Sequence, residues 1–193
     1  MLMTKRCGWC GDDPLYVNYH DQEWGVPVYD DDALFEFLLL EGAQAGLSWI
    51  TVLRKREGYR RAFDGFDFRK IARYTDKKLN SLMKDEGIVR NRLKIFSARG
   101  NAIAFMQVQK EYGNFSDYIW SYVDRKPVVN RIKKMSDVAS NTDLSDAISK
   151  DLKKKGFKFV GSTIIYAFLQ ATGLVNDHAI DCFRFQECQE LAK

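Results

Sequence analysis

The sequence predicts an all-α fold, and three observations support this. Apolar residues recur mainly at helical spacing along the chain, which has 193 residues and only three prolines. No internal repeat, low-complexity tract or convincing strand alternation is present. A chain of this length buries a substantial core. We therefore expect a single unit over residues 1–193, built from two closely packed helical lobes.

The first predicted helix covers residues 30–40. It begins with three aspartates, whose charge favours a helix N-terminus, and continues with residues that are apolar nearly all round, as in a buried helix. Gly42 and Gly46 are expected to interrupt it. Ser48 is expected to cap a second helix over residues 49–53, so that the segment reads as helix, tight turn, helix.

Further helices are predicted along the rest of the chain, at residues 67–74, 75–86, 91–112, 116–123, 142–155 and 162–172. Gly87 is expected to end the second of these in the left-handed conformation that favours glycine, and Gly156 and Gly173 to end the last two. Residues 126–141 have the weakest pattern and are predicted to form a loop around Pro127.

The formal net charge of +4 permits binding to a polyanion without requiring it. The basic residues fall into three groups: residues 54–61, 90–94 and 150–158. Each group alone is typical of a solvated helix face, but the three together favour a phosphate backbone as partner. The longest apolar stretches are too short to span a membrane. Residues 1–7 lack the apolar core of a signal peptide, which predicts a cytoplasmic protein.

The two histidines of the chain each lie near a cysteine, at opposite ends of the sequence. Cys7 and His20, with His178 and Cys182, would complete a closed four-coordinate zinc site that joins the two ends of the fold. On a helical turn, His178 and Cys182 would face the same way. A wider spacing separates Cys7 from His20, which requires an intervening loop.

Other interpretations of these cysteines and histidines stay open at this point. The histidines could be ordinary core or surface residues, and the four cysteines could be buried thiols or two disulfides. Cys7 and Cys10 form a CxxC pair, which is typical of a redox motif or offers Cys10 as an alternative ligand. A redox motif of the thioredoxin kind needs a βαβ context, and the sequence shows none.

Aromatic residues crowd the N-terminal segment, at Trp9, Tyr16, Tyr19 and Trp24. Such residues are usually part of a core, but a metal that pins this segment would let it present flat rings to a planar ligand. Glu41 follows three leucines on the predicted buried helix, where an unpaired carboxylate is costly. It must either have an internal partner or face a pocket.

Several long motifs resemble the 3-methyladenine DNA glycosylase I family of the helix-hairpin-helix glycosylase superfamily. They are CGW at residues 7–9, DPLYVNYHDQEWGVP at 13–27, LEGAQAGLSWITVL at 40–53, KGFKFVG at 155–161 and LVNDH at 174–178. The resemblance extends over nearly the whole chain. It implies a helix-hairpin-helix DNA glycosylase fold whose N- and C-terminal segments are clasped by one structural zinc ion. The matching zinc ligands are Cys7, His20, His178 and Cys182, which leaves Cys10 and Cys188 as incidental thiols.

The resemblance also implies a base pocket. Its central residues match Glu41, Tyr16 and Trp49, and its walls match Trp9, Tyr19 and Trp24. Adenine methylated at N3 is cationic while attached to deoxyribose, so aromatic faces attract it and a carboxylate accepts hydrogen bonds from its edge. The aspartate that most of the superfamily uses is absent in this family, and no catalytic lysine is assigned. The expected reaction is therefore monofunctional: it releases free 3-methyladenine and leaves an abasic site.

The expected DNA contacts come from two segments. The hairpin maps to residues 85–94, where Gly87, Arg90, Arg92 and Lys94 would grip phosphates of double-stranded DNA, although Val89 replaces the usual second glycine. Gly46 and Leu47 resemble the family's plug, which fills the gap left by a flipped nucleotide. The structural alternative for Leu47 is a core residue at the start of a helix.

Two other functions compete with excision of 3-methyladenine. A catalytically silent DNA-binding protein could keep the hairpin, the basic groups and the zinc after losing its chemistry. A redox protein would instead use Cys7 and Cys10 as a dithiol. We expect the protein to act as a monomer, although no motif establishes this.

Overall fold

Helices dominate the fold, as the sequence predicts. The computed structural model describes residues 5–192. In chain order its α-helices are α1 (Pro14–Gln22), α2 (Asp31–Gln44), α3 (Trp49–Leu53), α4 (Arg56–Ala62), α5 (Phe68–Ile71), α6 (Asp76–Leu82), α7 (Arg92–Tyr112), α8 (Phe115–Ser121), α9 (Asp143–Lys154), α10 (Ser162–Ala171) and α11 (Arg184–Glu190). The prediction of no signal peptide falls largely on residues 1–4, outside the described residues.

Helix α1 occupies part of the segment between Cys7 and His20, where the sequence analysis expected a loop. The Asp13 carboxylate accepts hydrogen bonds from the backbone N–H groups of Leu15 and Tyr16, at 3.0 and 3.3 Å. Pro14 occupies the first helical position, where its missing N–H costs nothing. The looped part is shorter than expected: residues 11–13 form a turn, and α1 then carries His20.

Helix α2 runs to Gln44, straight through Gly42, which was predicted to interrupt it. A Cβ atom on Gly42 would lie 3.2 Å from Cβ of Phe159, so the glycine allows close packing and does not break the helix. The turn comes at Gly46, whose φ is +80°. Ser48 stands at the N-cap of α3 as predicted, but its hydroxyl pairs with Thr51 Oγ1 at 2.7 Å and caps no backbone N–H.

The segment between α6 and α7 differs from prediction in two respects. Helix α6 ends at Leu82, and Gly87 does not adopt a left-handed φ. A Cβ atom on Gly58 would lie 2.1 Å from the carbonyl oxygen of Gly87, so these two glycines permit a close backbone approach between α4 and the turn. Gly156 and Gly173 do have positive φ, at 94° and 73°, as expected for residues that end helices.

Residues 126–141 were predicted to be a loop, but they contain strand β1 (Val128–Val129) and one short 3-10 helix at Met135–Asp137. Strand β1 pairs in parallel with β2 (Val175–Asn176), and Val128 lies opposite Val175. A strand of two residues is too short to show alternation, so the sequence contains no signal for it. The pairing fixes residues 126–134 beside the segment that leads to His178.

Helix α2 is the centre of the core. Its residues Leu34, Phe35, Leu38 and Leu40 are at most 1% exposed, and the helix contacts α7, α8 and α10. Its C-terminal end therefore points Glu41 into the interior. No helix within residues 5–192 combines the length and apolar character needed to cross a bilayer. The single unit with two lobes stays a prediction.

Candidate functional site

Four buried side chains converge from the two ends of the chain. The possible ligand atoms of Cys7, His20, His178 and Cys182, here called the metal-ligand cluster, all lie within 4.8 Å of one another. Cys182 Sγ lies 3.5 Å from His20 Nε2 and 3.6 Å from His178 Nδ1. Tetrahedral coordination with metal–sulfur and metal–nitrogen bonds of about 2.3 and 2.0 Å spaces such atoms about 3.5 Å apart. These residues therefore fit a bound metal ion.

The second nitrogen of each histidine has its own hydrogen-bond partner. His20 Nδ1 lies 2.8 Å from Oδ1 of Asp21, and the Asp21 carboxylate also accepts hydrogen bonds from Nε and Nη2 of Arg6. His178 Nε2 donates to the backbone carbonyl oxygen of Trp24 at 3.0 Å. Hydrogen bonds of this kind fix the ring orientation and leave the opposite nitrogen free to coordinate a metal.

His178 and Cys182 do not share a helix, contrary to the helical turn considered in the sequence analysis. They lie in the turn after β2, where the Cys182 N–H donates to the carbonyl oxygen of Ala179 at 2.8 Å. Hydrogen bonds from Cys7, His178 and His20 lower the pKa of Cys182, which favours the thiolate that a metal requires. All four cysteines of the chain are free, and Cys10 and Cys188 lie outside the cluster.

A cavity of about 450 Å³ lies beside this cluster and is called here the aromatic cavity. Its aromatic and polar walls bring together every predicted pocket residue: Trp9, Tyr16, Tyr19, Trp24, Glu41 and Trp49. The ring centroid of Trp9 lies 5.0 Å from that of Tyr16 and 4.9 Å from that of Trp24. Trp9 also packs against His20, at 5.3 Å, so the metal-ligand cluster supports one wall of the cavity.

Glu41 is the acidic group of the aromatic cavity and is only 3% exposed. Among residues 5–192, no donor reaches its Oε2 atom, so this oxygen has no internal partner. Burial raises the pKa of Glu41 to about 8. An unsatisfied buried carboxyl group is expensive, and its cost is recovered only if a ligand supplies hydrogen-bond donors or positive charge.

Two hydrogen-bond donors in the same cavity are also unsatisfied. The indole N–H groups of Trp9 and Trp49 are buried, and within the described part of the chain neither has an acceptor. Burial raises the pKa of Tyr16 and of Tyr19, so both phenols stay protonated. The cavity thus offers one acceptor and at least two donors between aromatic faces, which suits a flat heterocycle with polar edges.

Sequence reasoning missed a further part of the wall of the aromatic cavity. This part is formed by Gln44, residues 132–135 and 138, and Gln170 and Asp177. Asp177 accepts hydrogen bonds from Asn130, Tyr166 and Gln170 at 2.5–2.7 Å. The β1–β2 pairing brings residues 132–138 to the cavity, and no sequence pattern pointed to it.

The predicted DNA contacts occupy different environments. Arg90 and Arg92 are largely exposed near the start of α7, where Arg90 lies 3.6 Å from Glu86 and Arg92 donates to Asn80. Leu47 is 39% exposed in the turn after α2, beside Gly46. The ammonium group of Lys94 does not project into solvent but donates to two backbone carbonyl oxygens of residues 43 and 45.

The first basic group supplies mainly internal ion pairs. Arg56 binds Glu23 and Glu36, and Arg54 binds Asp13. Arg56 therefore joins α4 to α2 and to the end of α1, and Arg54 contacts the N-cap of α1.

The fold and the cavity together define a helical protein that binds a planar heterocycle next to a metal-ligand cluster. Residues 9–185 match a family model described as methyladenine glycosylase. The chain is 52% identical over 178 residues to DNA-3-methyladenine glycosylase 1 of Escherichia coli (strain K12), covering 92% of this chain and 95% of that protein. It is 50% identical over 180 residues to DNA-3-methyladenine glycosylase of Haemophilus influenzae, covering 93% and 97%.

A solved structure shows the same architecture. The chain superposes with a TM-score of 0.91 on 3-methyladenine DNA glycosylase I from Staphylococcus aureus, at 40% identity and with 94% of this chain and 97% of that chain covered. That structure describes the recognition of 3-methyladenine. The chain belongs to the methyladenine glycosylase family, which confirms the resemblance seen in its motifs.

Proposed function

We propose that this protein is a monofunctional DNA glycosylase that hydrolyses the N-glycosidic bond of 3-methyladenine in alkylated double-stranded DNA. One observation carries the proposal: the unpaired Glu41 carboxyl group and the unpaired indole N–H groups of Trp9 and Trp49 line one aromatic cavity. Relatives at 50% and 52% identity are named for this activity.

Selection of the damaged base follows from charge and shape. A 3-methyladenine still attached to deoxyribose is cationic, so the π faces of Tyr16 and Trp49 and the Glu41 carboxylate all attract it. Normal adenine is neutral and gains little from these contacts. Glu41, Tyr16 and Trp49 therefore have the central roles, and Trp9, Tyr19 and Trp24 form the supporting walls.

The bond cleavage itself needs little assistance from acid catalysis. The cationic purine is a good leaving group, and its departure leaves an oxocarbenium-like sugar that water captures. The protein must extrude the nucleotide and hold it in the cavity, out of the base stack. The products are free 3-methyladenine and an abasic site, with both DNA strands intact.

The turn between α6 and α7 is the proposed helix-hairpin-helix element. The backbone around Gly87, together with Arg90 and Arg92, would hold phosphates without reading sequence. Gly46 and Leu47 would fill the gap that the flipped nucleotide leaves. Lys94 has a different environment, because its ammonium group binds backbone carbonyl oxygens.

A structural zinc ion is proposed for the metal-ligand cluster. Two thiolates and two imidazoles form a closed donor set that suits zinc, and the distances between the donor atoms agree with tetrahedral coordination. The ion would hold α1 against the turn after β2, and thereby support Trp9 and Trp24. It leaves no open position for substrate, so its role is structural. We propose one zinc per chain and a monomeric enzyme.

Chromatography of the bases released from methylated duplex DNA tests the proposed function directly. We expect free 3-methyladenine from the wild-type protein, without strand cleavage. At pH 9, where the wild-type carboxyl group is ionised, Glu41→Gln should keep the fold and the metal but bind free 3-methyladenine about tenfold more weakly, as expected for loss of a hydrogen bond to a charged group. The exposed Glu57 on α4 provides the matched control, Glu57→Gln, which should behave as wild type.

The same experiment separates the proposal from its rivals. A catalytically silent DNA-binding protein would bind methylated DNA and release no base. A redox protein would show a reactive dithiol at Cys7 and Cys10 in place of tightly bound metal. Unchanged affinity of Glu41→Gln for the free base would remove the role assigned to the carboxyl group.

A further inference from the structure

Lys94 lies in the first turn of α7, directly after the hairpin, but its ammonium group reaches back to helix α2. Nζ of Lys94 donates to the carbonyl oxygen of Ala43 at 2.9 Å and to that of Ala45 at 2.6 Å. These carbonyls belong to the end of α2, where the last backbone acceptors have no partner within the helix. The ammonium group satisfies them and complements the negative end of the helix dipole.

The environment of Lys94 differs from that of its neighbours on the hairpin. Arg90 and Arg92 are exposed, whereas Lys94 is half-buried, and burial lowers its pKa. Two strong hydrogen bonds already use most of its donor capacity, which is three N–H groups. A phosphate contact from this side chain would have to break contacts that it makes in the folded protein.

The end of α2 that Lys94 holds carries two functional elements. Glu41 and Gln44 line the aromatic cavity from its last turn, and Gly46 and Leu47 follow directly. The Leu47 N–H donates to the carbonyl oxygen of Gln44, so the turn continues from the end of the helix without a break. The Lys94 contact therefore joins the start of α7 to the segment that holds the end of the pocket helix and the proposed plug.

We infer that Lys94 is a positioning residue, which couples the hairpin to the α2–α3 turn, and that it is not a phosphate ligand. This inference rests on the proposed function. When the hairpin grips the DNA backbone, the Lys94 contact sets where Leu47 enters the duplex relative to the aromatic cavity. This positioning role replaces the phosphate contact that was expected for Lys94 from the sequence.

Salt dependence of binding distinguishes the two roles. Each neutralised phosphate contributes about 0.9 to the slope of log affinity against log salt concentration on duplex DNA. Lys94→Met keeps the side-chain stem and removes the ammonium group, so we expect the slope on undamaged duplex to stay unchanged. Arg92→Met, at an exposed position on the same turn, should lower the slope by about 0.9. A similar fall for Lys94→Met would overturn the inference.

Excision kinetics show whether the coupling matters for the reaction. For Lys94→Met we expect the single-turnover rate at saturating methylated DNA to fall about tenfold, as expected for loss of hydrogen bonds from a charged donor. Affinity for free 3-methyladenine should change less than about twofold, because Glu41 lies within α2 and the buried residues of that helix hold it without Lys94. Lys94→Arg keeps a charged donor with several N–H groups and should restore most of the rate.

A double-mutant cycle with Leu47→Ala tests the proposed route. If Lys94 acts through the turn, the combined variant should be little slower than either single variant. Independent, multiplicative losses would overturn the coupling, as would a rate for Lys94→Met equal to wild type. If Lys94→Met does not fold, Lys94→Gln, which keeps an N–H donor without charge, replaces it in all three measurements. Failure of the wild-type protein to release 3-methyladenine would refute the proposed function, while the salt slopes would still report on Lys94.

Discussion

Nε2 of His20 lies 3.5 Å from Sγ of Cys182, although 162 positions separate the two residues in sequence. His20 belongs to α1, and Cys182 to the turn after β2. Their contact therefore closes the N-terminal part of the chain onto the C-terminal part. A metal ion at this point would add coordinate bonds to the packing contacts between these two segments. Loss of the metal should therefore affect the stability of the fold more than the chemistry of the pocket.

Loss of a metal ligand should lower stability sharply. Cys182→Ala removes one of four ligands, and we expect the free energy of unfolding to fall by about 3 kcal/mol and the melting temperature by about 10 °C. Cys188→Ala is the matched control, because Cys188 is equally buried but lies outside the cluster. It should cost only about 1 kcal/mol from the lost side-chain volume. Thermal unfolding and metal analysis check both variants.

Two measurements could contradict the proposed structural role of the metal. If Cys182→Ala melts like wild type and yet has lost excision, the metal-ligand cluster is not a structural clasp. Metal analysis of the wild type is equally decisive, since the proposal requires one tightly bound zinc ion per chain.

The buried Glu41 should make stability fall as pH rises. Its folded pKa of about 8 lies above the unfolded value of 4.5, so the folded state holds a proton that the unfolded state releases between these values. This contribution is fully present below pH 4.5 and is lost as pH rises through 8. Glu41→Gln removes the cost of ionisation, so at pH 9 the variant should be more stable than wild type by a few kcal/mol (~2–4). Urea unfolding at pH 5 and pH 9 measures the difference.

The efficiency of excision should rise with pH, whereas the stability of the fold falls. The cationic base is best held by an ionised carboxylate, so kcat/KM should rise as pH increases through the Glu41 pKa of about 8 and then level off. The substrate carries its charge permanently and adds no titration of its own. The profile of Glu41→Gln should be flat and low over the same range. A variant with the wild-type profile would show that another group controls the reaction.

One pocket residue stood out in the sequence alone, and the resemblance to the family supplied the others. A glutamate after three leucines on an apolar helix needs an explanation, and the structure confirms that Glu41 is buried and that its Oε2 lacks a partner. Helix α1 also had a readable signal, since Asp13 and Pro14 are a standard N-cap and first helical residue. The expectation of a loop there depended on the spacing of Cys7 and His20 alone.

Other features had no local signal. Two-residue strands such as β1 show no periodicity, so the wall formed by residues 132–138 depends on tertiary contacts alone. Charge counts were also misleading, because a sequence does not show whether a cation meets solvent or another part of the chain. Arg56 forms internal ion pairs and Lys94 binds backbone carbonyls, although both belong to basic groups of the sequence.

Leu47 should contribute to excision without contributing much to stability. Its side chain is 39% exposed, so Leu47→Ala should change the free energy of unfolding by less than about 0.5 kcal/mol. Removal of the plug should nevertheless slow single-turnover excision by about tenfold, because the flipped nucleotide returns to the stack more readily. Ile103→Ala, at a similarly exposed position on α7, is the control and should excise normally. A large loss of stability in Leu47→Ala would instead identify Leu47 as a core residue.

The close approach of Gly58 to Gly87 should make the hairpin sensitive to a single methyl group. A Cβ atom on Gly58 would lie 2.1 Å from a backbone oxygen, which cannot move as a flexible side chain can. Gly58→Ala should therefore displace the turn between α6 and α7, lower stability by about 2–3 kcal/mol and weaken binding to undamaged duplex DNA. Gly100→Ala lies within α7 with open space around it, and should be neutral or stabilising by up to about 1 kcal/mol. Urea unfolding and DNA titration of both variants test this, and a stable Gly58→Ala with full DNA affinity would show that the hairpin does not depend on the contact.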